Sequence, residues 1–110
     1  MTGYEAFSAV EMRVGRILRA ELNARAKKPA YKLWIDFGAE IGERTSSVQI
    51  THLYPVDTLP GVLVICAMNL CTRNIAGFES QVLTMGVNDS EGRVVLLQPE
   101  REVPLGERIY

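Results

Sequence analysis

Apolar and polar residues alternate along much of the chain, and this alternation predicts a protein built mainly from short β-strands. The clearest case is residues 31–37 (YKLWIDF), where Tyr31, Leu33, Ile35 and Phe37 share one face. The same pattern, with turn residues such as 88–92 (NDSEG) between the segments, predicts further strands at residues 13–22, 44–51, 62–69, 81–87 and 93–98.

At the start of the chain the apolar residues follow a helical period instead. Tyr4, Phe7 and Val10 recur at helical spacing, and Thr2 followed by Glu5 is typical of a capping box, so we predict a helix over residues 3–9. A helix this short is not stable alone. We therefore expect its apolar edge to pack on another surface.

Two of the predicted strands have unusual features. Gly15 interrupts the first strand, which indicates either a β-bulge or a close approach of the backbone to a neighbour. The strand over 62–69 is apolar on both faces, so we expect it to be covered by the core on one side and by a helix or a second subunit on the other.

The number of strands and the length of their connections predict one all-β domain over residues 1–110. With 110 residues, of which 47% are hydrophobic, the chain is long enough for a core. The long connection after the third strand favours a five-stranded OB-fold barrel. In that fold, strands 2 and 3 and the loop between strands 1 and 2 form the usual binding surface.

Charge restricts the kind of ligand that this surface can hold. The net charge is −1, whereas a general nucleic-acid binder is strongly basic, so an anionic partner must be held by a local patch. The most basic segment contains Arg25, Lys27, Lys28 and Lys32 in the predicted loop between the first two strands. This segment is either a phosphate-binding loop or a solvated loop that keeps the protein soluble.

Two other features leave alternatives open. Thr45, Ser47, Gln49 and Thr51 share one face of the third strand, where they would either hydrogen-bond a ligand or simply face water. Trp34 lies opposite the apolar face of its strand, which suits stacking on bases or burial in a subunit interface; we favour the interface.

No arrangement of residues indicates catalysis. His52 is the only histidine, no Ser-His-Asp or G-x-S-x-G pattern is present, and Cys71 has no evident base. We expect neither a metal nor a cofactor. The two cysteines, the lack of a signal peptide at the start and the absence of a long apolar run predict a cytoplasmic protein with reduced thiols.

Residues 73–80 (RNIAGFES) mix turn formers with a cation and a large aromatic. The segment is either an ordinary corner of the barrel or the edge of a binding surface. It also belongs to a resemblance that runs in order over nearly the whole chain. The segments that carry it are 11–21 (EMRVGRILRAE), 27–38 (KKPAYKLWIDFG), 41–51 (IGERTSSVQIT), 73–83 (RNIAGFESQVL) and 94–106 (VVLLQPEREVPLG).

Together these segments resemble the CsaA family of export-related chaperones and, more distantly, the tRNA-binding OB domains of methionyl-tRNA synthetases and phenylalanyl-tRNA synthetase β chains. The resemblance implies a homodimer formed through the N-terminal helix and extra C-terminal strands. It also implies binding of unfolded or precursor polypeptides in protein export, with the export machinery as a further partner, and binding of tRNA. The alternative is an RNA-binding module that acts in trans with aminoacyl-tRNA synthetases.

The resemblance also indicates which residues form the site. Asn69, Leu70, Gly77, Glu79 and Ser80 match the pattern of the tRNA-binding domains, but Cys71 and Asn74 replace two lysines and only Arg73 remains basic. Fewer phosphate contacts mean weaker RNA binding, which favours a polypeptide ligand. We expect the ligand to contact Arg73, Phe78, Ser80, Asn69, Asn74, Ser47, Gln49, Lys28 and Lys32.

In this set, Arg73 and the lysines would neutralise phosphates or acidic groups. Phe78 would supply apolar contact, and the small polar residues would supply hydrogen bonds.

Overall fold

A computed structural model describes all residues from 1 to 110 and confirms a mainly β-stranded chain with one short helix. Its elements are α1 (Gly3–Ala9), β1 (Met12–Leu22), β2 (Tyr31–Asp36), β3 (Glu43–Val48), a 3-10 turn (Val56–Thr58), β4 (Leu63–Ala67), β5 (Arg73–Ile75), β6 (Phe78–Ser80), β7 (Leu83–Thr84), β8 (Gly86–Asn88) and β9 (Val94–Leu96).

Five strands form a nearly closed antiparallel barrel in the order β3-β2-β1-β4-β7. Its two edge strands meet where the backbone N–H groups of Gln81 and Val82 donate to the Thr45 carbonyl at 2.8 and 3.1 Å. Inside the barrel the Thr84 hydroxyl donates to Ser46 Oγ at 2.8 Å. This architecture confirms the predicted OB fold.

The core follows the predicted alternation of β2. Leu33, Ile35 and Phe37 are at most 1% exposed, whereas the residues between them are half-buried. A Cβ atom at Gly15 would lie 2.6 Å from Ile35 Cγ2 and 2.7 Å from Phe37 Cε1, so this glycine marks a close backbone approach. The bulge in β1 lies further along, between Ile17 and Arg19.

Two predicted strands have different bounds in the structure. β3 ends at Val48, paired with Tyr31, because Pro29 just before β2 has no N–H with which to extend the ladder. The predicted strand over 81–87 is divided at Met85. Its N–H donates to the Ile65 carbonyl of β4 at 2.9 Å, and its carbonyl accepts from Leu97 N–H at 3.1 Å. Leu97 directly follows β9, which pairs with β8 in a separate two-stranded ribbon.

The two ends of the chain meet on the outside of the barrel. The tail runs along the first half of β1, where Val14 N–H donates to the Glu107 carbonyl at 3.0 Å and Ile109 N–H donates to that of Met12 at 2.9 Å. Helix α1 begins at the predicted cap, where Thr2 Oγ1 accepts from Glu5 N–H, but none of its residues is buried. None of the helical segments has the length and apolar character needed to cross a membrane.

Candidate nucleic-acid interface

Residues 73–80 form a β-hairpin that lies on the outside of the barrel, and not a barrel corner. β5 and β6 pair antiparallel, with Arg73 opposite Ser80 and Ile75 opposite Phe78. The two turn residues, Ala76 and Gly77, have φ angles of 50° and 84°, as in a type I′ turn. The sequence did not reveal the hairpin because the turn has alanine where asparagine or aspartate usually stands.

Hydrogen bonds fix the base of the hairpin to the outer side of β3. The Thr45 hydroxyl donates to the Glu79 carbonyl at 2.7 Å, and Ser47 N–H donates to Ser80 Oγ at 2.9 Å. Gln81 Oε1 accepts from Thr45 N–H at 3.0 Å. Part of the polar row on β3 therefore holds the hairpin instead of facing water.

The tip of the hairpin meets the loop between β1 and β2. Asn23 Nδ2 donates to the Ile75 carbonyl at 3.3 Å. The Arg25 side chain lies over the turn so closely that a Cβ at Gly77 would come within 2.6 Å of its Nη1. The loop and the hairpin thus enclose one surface from two sides.

Between them lies a cavity of about 730 Å³, here called the central cavity. Its walls include Arg25, Lys27 and Lys28 from the loop and Arg73 from the hairpin; Ser47 and Gln49 also line it. No acidic residue lines it. The Ser47 hydroxyl and the Gln49 amide make no hydrogen bond within the protein, so both are free to bind a ligand.

The cations of this region differ from the rest of the chain. Arginines elsewhere are occupied: Arg13, Arg16, Arg19, Arg93 and Arg101 pair with carboxylates, and Arg44 and Arg108 donate to carbonyls. The basic residues with neither an ion pair nor a side-chain hydrogen bond are Arg25, Lys27, Lys28, Lys32 and Arg73. Four of these line the central cavity, and Lys32 faces Ser47 across the β2–β3 ladder.

A second cavity of about 260 Å³, here called the side cavity, adjoins the first. The two share Ser47, Arg73 and Ile75, and Ser80 also lines the second one. Its remaining wall is largely apolar and comes from Leu70, Val82 and Leu83. The site therefore consists of the cationic central cavity and, next to it, the largely apolar side cavity.

The predicted site residues fall into two groups. Those at the cavities or beside them are Arg73, Ser47, Gln49, Lys28, Ser80 and Lys32. The others lie elsewhere: Asn69 bonds the Ala9 carbonyl and Glu11 N–H at the end of α1, Asn74 accepts from Gly77 N–H in the hairpin turn, and Phe78 packs on Trp34.

Arg25 and Lys27 are cavity residues that the sequence-based set omits. Both belong to the basic segment already recognised in the sequence, so the signal was present. What the sequence did not contain was the contact between that loop and the hairpin, because residues 25 and 77 are far apart in the chain.

Comparison with known proteins agrees with this geometry. Residues 12–108 match the family described as "Putative tRNA binding domain". The crystal structures of the chaperone CsaA from Bacillus anthracis and from Picrophilus torridus are 40% and 41% identical, with TM-scores of 0.92 and 0.91. This chain is covered completely in both comparisons, and the CsaA chains are covered to 99% and 100%.

Methionine–tRNA ligases are similar over a small part of their length. The enzymes from Pyrococcus furiosus and Archaeoglobus fulgidus are 32% and 36% identical over 96% of this chain. The chain spans only 14% and 15% of these relatives. A barrel of this topology, matched along nearly its whole length, places the chain in the tRNA-binding domain family, among proteins of the CsaA type.

Proposed function

We propose that this protein binds RNA of the tRNA class through the central cavity and catalyses no reaction. The observation that carries the proposal is the group of cations that make neither an ion pair nor a side-chain hydrogen bond in the protein: all of them line or adjoin one surface of a chain whose net charge is −1. Unpaired cations around a cavity without acidic residues suit phosphates, and the free Ser47 and Gln49 groups suit bases or riboses.

A second ligand class is supported by the side cavity and by the CsaA structures. We propose that unfolded or precursor polypeptides bind a surface that overlaps the RNA site. Leu70 and Leu83 are 45% and 52% exposed there, and apolar side chains of an extended peptide would cover them. The structural neighbours named as chaperones support binding of polypeptides. We further propose, on the resemblance to the CsaA family alone, that protein export is the setting and the export machinery a further partner.

One competition experiment tests both ligands on the same protein. Bulk tRNA and an unfolded precursor peptide would be titrated separately and against each other at two salt concentrations. We expect log affinity for tRNA to fall linearly with log salt, with a slope that reflects a few phosphates, and peptide affinity to change little. Arg73→Ala should weaken tRNA binding and reduce the slope by about one.

The matched control is Arg101→Ala, which removes the same charge from an exposed pair with Glu100 that lines neither cavity. It should leave the salt slope unchanged. Affinity for tRNA that does not respond to salt, or equal effects of the two substitutions, would contradict the RNA proposal. A protein that neither binds the peptide nor slows aggregation of an unfolded client would contradict the polypeptide proposal.

We further propose that the protein is a cytoplasmic homodimer. An exposed free Cys71 suits a reducing compartment. In the single chain, Tyr4 and Phe7 of α1 are 81% and 43% exposed, and a second copy of the chain would cover them. The C-terminal tail beside β1 supplies a further apolar groove, lined by residues such as Val103 and Ile109.

A further inference from the structure

A stack of cationic and aromatic side chains joins the β5–β6 hairpin to the barrel. The guanidinium carbon of Arg19 lies 4.3 Å from the centroid of the Trp34 ring. The Phe78 ring meets Trp34 edge-on, with centroids 5.5 Å apart and planes inclined at 70°. Lys32 Nζ lies 5.7 Å from the Phe78 centroid. Each of these geometries is attractive, so Phe78 binds the hairpin to β2, where Trp34 is in turn covered by Arg19 of β1.

Phe78 lines neither the central nor the side cavity, although its partner across the hairpin, Ile75, lines both. Arg73 lies two residues before Ile75, so its side chain leaves the same face of the hairpin. A two-stranded ribbon with strands of three residues is not stable alone. The contacts with the barrel therefore determine where the hairpin holds Arg73.

We propose that Phe78 is a positioning residue: its stack on Trp34 fixes the tilt of the hairpin and so holds Arg73 at the central cavity. The ring itself does not contact the ligand. This inference rests on the RNA-binding function proposed above. It replaces the direct apolar contact that the sequence suggested for Phe78, because the ring is engaged by Trp34 and Lys32.

A double-mutant cycle on tRNA affinity tests the proposal. Affinities would be measured for the wild type, Phe78→Ala, Arg73→Ala and the double variant. We expect Phe78→Ala to weaken wild-type binding roughly three- to tenfold, but by less than about twofold once Arg73 is absent, because residues that act through one another are not additive. A ring that contacts RNA directly would cause the same loss in both backgrounds.

The salt slope gives a second readout that a general loss of stability would not move. Phe78→Ala leaves the charge of Arg73 in place but displaces it, so the slope should approach that of Arg73→Ala. An unchanged slope would overturn the positioning role.

Conservative variants keep the experiment interpretable. Phe78→Tyr retains the aromatic edge and should bind tRNA like the wild type. Phe78→Leu keeps apolar bulk without the ring and should behave like Phe78→Ala, which it replaces if the alanine variant does not fold. Trp34 is the only tryptophan, so a change in its fluorescence in Phe78→Leu reports that the stack exists in solution.

The outcomes separate this inference from the function on which it rests. If the wild type does not bind tRNA, the proposed function is wrong and the role of Phe78 falls with it. If the wild type binds tRNA but Arg73→Ala leaves the affinity unchanged, RNA binding stands and the positioning role is wrong. If Arg73→Ala weakens binding but the two losses add, RNA binding stands and the positioning role is wrong.

Discussion

At the scale of single residues, the two cysteines have opposite environments. Cys66 is fully buried, and its thiol donates to Thr84 Oγ1 at 3.7 Å. Burial, which disfavours the charged thiolate, raises the pKa of Cys66 to about 12. Cys71, by contrast, is exposed next to the hairpin. Because the thiolate is the reactive form, the two thiols should differ greatly in reactivity.

We therefore predict that a maleimide at pH 7 labels Cys71 in the folded protein and leaves Cys66 unlabelled. Mass spectrometry of the digested protein should find the second label only after denaturation, when the Cys66 thiol reaches solvent. Cys71→Ser is the control and should abolish labelling of the folded state. Rapid labelling of Cys66 in the native protein would show that the core opens there.

Residue-level prediction from the sequence worked where the cause is local. The inward residues of β2 follow from alternation alone, as Leu33 and Ile35 show. Asn69 illustrates the limit: its amide groups are bonded to residues 58 and 60 positions away, at the end of α1. No periodicity encodes such a contact, so the sequence could not show that this side chain is already engaged.

At the scale of elements, the β8–β9 turn is held by one carboxylate. Asp89 Oδ1 accepts from the backbone N–H groups of Glu91 and Arg93, both at 2.9 Å, and Oδ2 pairs with Arg93 Nε at 2.8 Å. The backbone hydrogen bond from Arg93 is the main cause that lowers the pKa of Asp89. When folding lowers the pKa of a carboxylate, the carboxylate stabilises the folded state at pH values above its pKa in the unfolded chain, which is about 3.9.

The expected consequence is a pH-dependent effect of Asp89→Ala. The substitution should lower the melting temperature at pH 7. Its effect should shrink as the pH falls below about 4, because the carboxylate of the unfolded chain is protonated first and that of the folded protein only at lower pH. Thermal melts of both proteins between pH 7 and pH 3 measure this. Asp57→Ala removes a carboxylate that makes no side-chain hydrogen bond, and it should show no such trend. A constant difference between wild type and Asp89→Ala at every pH would argue against the assignment.

Strands and turns could be predicted where a single sequence signal is strong. The NDSEG turn and the alternating β2 were both found. The β5–β6 hairpin was not predicted, because Ala76 adopts a positive φ that alanine rarely takes. The residue adopts this conformation where the chain turns between the paired strands β5 and β6. The candidate site shows the same division: the basic loop was recognised from composition, but the cavity arises only where that loop meets the hairpin.

At the scale of the whole molecule, strand count and the long third connection were sufficient to predict an OB barrel. The hydrogen bonds that close the barrel were not predictable, since they join Thr45 of β3 to Gln81 and Val82, just before β7, across the fold. What the single chain leaves unexplained is α1. The helix has 7 residues and buries none of them, although so short a helix needs tertiary contacts to be stable.

If a second copy of the chain covers α1, sedimentation should give twice the 12.2 kDa mass of one chain. Replacing both Tyr4 and Phe7 by serine should shift the protein to single chains, because it removes the apolar edge that is buried on association. The helix should then lose circular-dichroism signal, since nothing else packs on it. The matched control is Leu22→Ser, which should remain a dimer. The Leu22 side chain is 57% exposed, and it lies at the end of β1 that is remote in the chain from α1. A wild type that sediments as one chain at every concentration would mean that α1 stays uncovered and that its few hydrogen bonds to Asn69 and Arg108 are sufficient to hold it.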